Sequence, residues 1–145
     1  TSGNFHVVTD IYDVHDYEQD PTAFAENYSK ISEGIVNDTT ERNPILRGRQ
    51  KYDTKLPFFI SEYGGIKWSS DNENSWGYGD TPKTEDEFIQ RYKGLTEEIL
   101  KHKDIMGFCY TQLYDVEQEQ NGLMTYDRKF KFDPEIFKKI NTKKY

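Results

Sequence analysis

Glu62 stands where an apolar run meets two glycines, in Leu56-Pro57-Phe58-Phe59-Ile60-Ser61-Glu62-Tyr63-Gly64-Gly65. The aromatic and β-branched residues after Pro57 predict a short strand buried on both faces, so the acid is fixed at the strand's C-terminal end. A carboxylate there can act as a nucleophile or acid/base, or it can pair with an Arg or Lys; in α/β architectures this edge is where ligands bind. Gly64 and Gly65 allow a sharp turn and leave room beside the acid. Two further apolar runs end in comparable polar groups. Phe5 to Asp13 leads into Asp13-Val14-His15-Asp16-Tyr17, and Ile105 to Tyr110 leads into Thr111, Gln112, Tyr114, Asp115 and Glu117.

The elements between these runs are helical. Asp20-Pro21 places an N-cap before proline at the first helical position, and Phe24, Tyr28, Ile31 and Ile35 share one face. Thr84-Glu85-Asp86-Glu87 reads as a capping box for a helix carrying Phe88, Tyr92, Leu95 and Ile99 up to Lys103, with His102 suited to its C-terminal dipole. Asp133-Pro134 caps a last helix, Glu135 to about Ile140, before a basic tail. Residues 37–55 form a long connection with a short helix around Ile45 and Leu46, and residues 64–83 form a long loop holding Trp68, Trp76 and Tyr78. Alternating strands and helices with enlarged loops after the strands predict parallel βαβ units, about 5–36, 56–103 and 105–140.

At 145 residues, with 34% hydrophobic and 15% aromatic content, the chain fits one folding unit or part of one. Its 26 acids against 19 bases give a net charge of −7 without a basic stripe, which argues against nucleic acid as partner. No run approaches 18 apolar residues and the N-terminus lacks a leader pattern, so the chain is expected to be soluble, with no membrane span. The lone Cys109 excludes an internal disulfide framework and is expected in the core. Asn27-Tyr28-Ser29 and Asn37-Asp38-Thr39 match the glycosylation pattern at the level of chance. Asp71, Glu73 and Asp80 lack calcium-loop spacing, and no Gly-x-Ser-x-Gly elbow supports a serine hydrolase.

The strings from Thr9 to Tyr17, from Phe59 to Gly65 and from Gly107 to Leu123 resemble the C-terminal part of the catalytic domain of glycoside hydrolase family 2, which includes β-galactosidases, β-glucuronidases and β-mannosidases. The resemblance spans nearly the whole chain. It implies an α/β fold, part of a (β/α)₈ TIM barrel, with the three runs as strands six, seven and eight. A full barrel takes roughly 250 residues, so this chain would hold only a portion, starting within a barrel connection. Its unpaired strand edges would be covered by the missing N-terminal part or by another copy of the chain.

The implied chemistry is retaining hydrolysis of β-glycosides, in which one carboxylate attacks the anomeric carbon and a second carboxyl group protonates the leaving oxygen. By resemblance Glu62 is the nucleophile and Tyr17 its hydrogen-bond donor, with Tyr12 and Tyr63 as alternatives for that tyrosine. His15 faces sugar hydroxyls or pairs with Asp13. Tyr110 occupies a place where the family commonly has tryptophan, which puts the sugar preference in doubt. Trp68 and Trp76 are candidate sugar-stacking walls, with loop packing as the alternative. Gln112, Asp115 and Glu117 bind hydroxyls or satisfy loop backbone.

By resemblance the family's acid/base, a glutamate that follows an asparagine at the end of the fourth strand, would lie upstream of Thr1. Asn72-Glu73 has that dipeptide in the wrong loop. The chain alone is therefore expected to be inactive. Mg²⁺ or Na⁺ is a possible cofactor by family analogy, and no metal site is assigned. The other class of function is a non-catalytic carbohydrate-binding or scaffold module, for which Glu62→Gln would leave sugar affinity nearly unchanged. The determinants of sugar identity, exo or endo action and cellular location are expected to lie mostly upstream, and the oligomeric state is left open.

Overall fold

The computed structural model describes residues 6–37, 51–69 and 74–145. Its elements are β1 (Tyr12–Asp16), α1 (Pro21–Tyr28), a 3₁₀ turn (Ile31–Glu33), β2 (Phe58–Gly64), α2 (Glu85–Lys101), β3 (Ile105–Thr111) and α3 (Pro134–Asn141). The strands form one sheet in the order β1-β2-β3, and both pairs are parallel. This mixed α/β arrangement places α1 against α2 and α2 against α3.

Alternation along the strands sorts the residues between two faces. Tyr12 and Val14 of β1 and Phe58, Ile60 and Tyr63 of β2 are buried with Phe24 and Tyr28 of α1. Phe88, Tyr92, Leu95 and Ile99 of α2 and Phe137 and Ile140 of α3 complete this core. The opposite face carries Asp13, His15, Ser61 and Glu62, all half-buried.

The helix starts follow from local chemistry. The Asp20 carboxylate accepts from the Thr22 and Ala23 amides at 2.9 Å, and Pro21 removes a donor the helix could not use. Thr84 Oγ1 accepts from the Glu87 amide at 3.1 Å, while Glu87 Oε2 accepts from the Lys83 amide at 2.6 Å, one residue earlier than an ideal capping box. Thr84→Ala is expected to lower stability by about 1 kcal/mol in urea unfolding, the usual cost of losing such a cap. Asp133 caps α3 through the Glu135 amide at 3.0 Å.

Three expectations are corrected. The first strand begins at Tyr12, not near Phe5, and Val7 and Val8 are 84% and 93% exposed. The alternation that meets the core starts only at Tyr12, and it continues into the polar residues that look like a strand's end. The first helix stops at Tyr28 because Ser29 turns its hydroxyl onto the Glu26 carbonyl; a 3₁₀ turn then ends at Gly34, in left-handed conformation, leaving Ile35 53% exposed. Cys109 is exposed, because it lies between Phe108 and Tyr110, which turn to the core, on an outer strand of the described sheet.

The short helix around Ile45 and Leu46, the Asn37-Asp38-Thr39 pattern beyond Asn37, and Asp71, Asn72 and Glu73 lie outside the described residues. No helix among the described residues is long and apolar enough to cross a membrane.

Candidate active site

A β-bulge aims Glu62. Val14 of β1 pairs with Ile60, but His15 pairs with Glu62, so β2 carries one extra residue at Ser61. The β2-β3 register shifts across the same segment, between Ile60 and Tyr63. As a result Ser61 and Glu62 are both half-buried in succession, where a regular strand would send them to opposite faces. Ser61 Oγ donates to Asp13 Oδ2 at 2.6 Å, with the Val14 carbonyl 3.2 Å away, which ties the bulge to β1. Asp13 Oδ1 also lies 2.9 Å from His6 Nε2.

Two side chains converge on one oxygen of Glu62. His15 Nδ1 lies 3.1 Å from Oε2, and the Tyr17 hydroxyl donates to the same atom. Among the described residues Oε1 takes no hydrogen bond. Burial and the bond to Glu62 push the Tyr17 hydroxyl well above the ordinary tyrosine range, only partly opposed by a hydrogen bond with Thr111. Tyr17 therefore stays protonated and acts as a donor across the neutral range.

The loop after β2 leans on this pair. The Tyr78 ring stacks on that of Tyr17, with centroids 3.5 Å apart and planes 6° from parallel. Trp76 meets Tyr78 edge-on at 6.0 Å and is 46% exposed. Backbone bonds hold Trp76 to the loop after β3: its amide donates to the Gln118 carbonyl at 2.8 Å, and its carbonyl accepts from the Gln120 amide at 3.0 Å. The spacing of Tyr78 within its loop gives no signal of a stack on a distant strand end.

The remaining candidates lie elsewhere. Tyr110 points to the helical side, against Tyr63 and Tyr92, and its hydroxyl bridges the Ile66 amide and the Asn121 carbonyl at 3.2 Å each. Burial raises that hydroxyl well above its usual range, so it is a core tyrosine and not a platform beside Glu62. Gly64 makes this packing possible, because a Cβ there would stand 2.4 Å from the Tyr110 ring. Trp68 is half-buried and packs against the stacked pair Phe88 and Phe132 at the edge of the core.

Gln112 donates to the Glu119 carbonyl at 3.3 Å and closes the loop that follows β3. Asp115 forms a buried ion pair with Lys131 at 2.7 Å and accepts from the Gly122 amide at 2.9 Å; Lys131 also donates to the Trp68 carbonyl at 3.0 Å. Burial lowers the Lys131 ammonium from its ordinary range against the pull of Asp115. This pair braces the two loops. The structure thus brings together Glu62, Tyr17 and His15, with Trp76 at the rim, and leaves Tyr110, Trp68 and Gln112 in supporting roles.

Among the described residues no three His, Cys, Asp or Glu side chains converge to hold a metal ion. Of the carboxylates near the strand ends, Asp13 is engaged by His6 and Ser61, and Asp115 by Lys131.

No protein-family model matches this sequence, and no curated protein does. Solved structures do resemble the fold. The chain superposes on the β-glucuronidase of Faecalibacterium prausnitzii with TM-score 0.55 and 17% identity, over 90% of this chain and 21% of that one. For the Ruminococcus gnavus β-glucuronidase the TM-score is 0.60 at 14% identity, over 94% and 22% of the two chains. For the Bifidobacterium dentium β-glucuronidase complexed with coumarin-3-O-glucuronide it is 0.55 at 17% identity, over 92% and 21%. The chain spans about a fifth of the length of these proteins.

Proposed function

We propose that this chain is the C-terminal part of the (β/α)₈ catalytic barrel of a retaining β-glycosidase, contributing its last three strands, with Glu62 as the nucleophile. The observation that carries the reading is the convergence of the Tyr17 hydroxyl and His15 Nδ1 on Glu62 Oε2, at the C-terminal end of a parallel strand. The fold shared with part of several β-glucuronidases supports it, and one of those structures has D-glucuronic acid bound.

In this reading Glu62 Oε1 attacks the anomeric carbon of a β-glycoside. A bond forms between them while the bond to the leaving oxygen breaks, and that oxygen takes its proton from a carboxylic acid supplied by sequence outside this chain. Water then cleaves the glycosyl ester with the same second group acting as base. Tyr17 and His15 hold the carboxylate on one oxygen and leave the other to react. Trp76 offers its exposed ring to the sugar or its aglycone. Trp76→Ala in the parent protein is expected to raise KM about tenfold with little change in kcat, the pattern of a group that binds ground and transition states alike.

The test is hydrolysis of a panel of aryl β-glycosides by the 145-residue chain and by the parent protein carrying the upstream barrel. Turnover is expected only in the parent, and the best substrate names the sugar. Turnover by the isolated chain, lost in Glu62→Gln, would show that the second carboxyl group is already present. A parent that binds sugars without cleaving any would favour a carbohydrate-binding module.

A further inference from the structure

We propose that Tyr78 is a positioning residue for the nucleophile: its ring, stacked on Tyr17, fixes the Tyr17 hydroxyl on Glu62 Oε2. The inference deepens the reading of Glu62 as nucleophile and rests on it. Tyr17 lies one residue past the end of β1, so the strand's ladder does not hold its ring. A phenol with two free torsions would lose the bond to Glu62 whenever it swung outward.

Three features of the loop after β2 prevent that swing by placing Tyr78 over the ring. The Tyr78 amide donates to the Gly65 carbonyl at 2.8 Å, and Ile66 and Tyr78 form an isolated parallel bridge. Trp76 closes the far side of the stack edge-on. Gly65 supplies the space, because a Cβ there would stand 2.4 Å from Tyr78 Cδ2 and 3.1 Å from Tyr17 Cε1 at a φ of +59°.

The groups that face Tyr17 are Glu62 from β2, Thr111 from β3, His15 from β1 and Tyr78 from the loop. Of these, Tyr78 covers the ring's flat face and excludes water from it. That cover contributes to the burial that holds the Tyr17 proton above its ordinary range. Removing the ring while keeping apolar volume, as in Tyr78→Leu, should let Tyr17 ionise closer to the ordinary tyrosine value.

The first test reads this without any activity, by tyrosinate absorbance of the 145-residue chain against its Tyr17→Phe variant. In the unmodified chain and in Tyr78→Phe, Tyr17 is expected to contribute no tyrosinate at about pH 10, where exposed tyrosines are half ionised. In Tyr78→Leu its ionisation is expected to move at least about one pH unit lower. An unchanged Tyr17 titration in Tyr78→Leu overturns the proposal.

The second test is a double-mutant cycle on kcat/KM in the parent protein. Tyr78→Leu alone is expected to cost about tenfold, in line with the worth of an aromatic stack. In a Tyr17→Phe background it is expected to cost almost nothing, because the group it positions is gone. Equal losses in both backgrounds overturn the proposal, and a loop merely unfolded by the substitution gives that result. If Glu62→Gln keeps full activity in the same assay, the nucleophile reading fails, while the titration still judges the stack.

Discussion

Glu62→Gln in the parent protein is expected to lower kcat for aryl β-glycosides by at least about a thousandfold, with KM changed much less. An amide nitrogen or oxygen cannot replace the carboxylate as nucleophile, so the loss falls on the chemical step. The side chain keeps its shape, and its amide oxygen can still accept from Tyr17, so the fold is expected to survive. An unchanged circular dichroism spectrum and melting temperature would show that directly. A fall of tenfold or less would mean that Glu62 is one contact among several.

Asp16→Ala is expected to cost about 4 kcal/mol of stability, more than any surface substitution in the chain. Asp16 is fully buried on the helical side of β1. Its Oδ2 accepts from Asn27 Nδ2 at 2.8 Å and the Tyr28 hydroxyl at 2.9 Å, and its Oδ1 from the Glu18 amide at 3.0 Å. Truncation removes the acceptor of two buried side-chain donors, at about 1 to 3 kcal/mol each. The urea midpoint should fall with the slope unchanged. Because Asp16 sits between His15 and Tyr17, the same substitution should loosen the two groups that hold Glu62. A loss below about 1 kcal/mol would mean that water replaces the carboxylate.

The parts of this fold that were legible in the sequence are those set by local chemistry. Thr84 and the spacing of Phe88, Tyr92, Leu95 and Ile99 mark α2 within a residue or two, and Asp133-Pro134 marks the start of α3. The Pro57 to Gly64 run marks β2. What was not legible depends on partners distant in sequence. Asp16 looks like solvent-facing chemistry until Asn27 and Tyr28 fold over it. The bulge at Ser61 leaves no compositional trace, yet it decides that Glu62 shares a face with His15.

Parity along β3 explains Tyr110. Cys109 and Thr111 alternate away from the helical layer, so the tyrosine between them falls into the core, where it meets Tyr92. The two tryptophans of one loop part in the same way: Trp68 finds Phe88 and Phe132, while Trp76 is left at the rim beside Tyr78.

The most direct measurement is covalent trapping in the parent protein with an activated 2-deoxy-2-fluoro-β-glycoside, followed by peptide mass mapping. The fluorine slows both steps by destabilising the oxocarbenium-like transition state, and the good leaving group restores the first, so the glycosyl ester accumulates. One added fluoroglycosyl group is expected, on the peptide that contains Glu62, and none in Glu62→Gln. A stable label on a different carboxylate would contradict it.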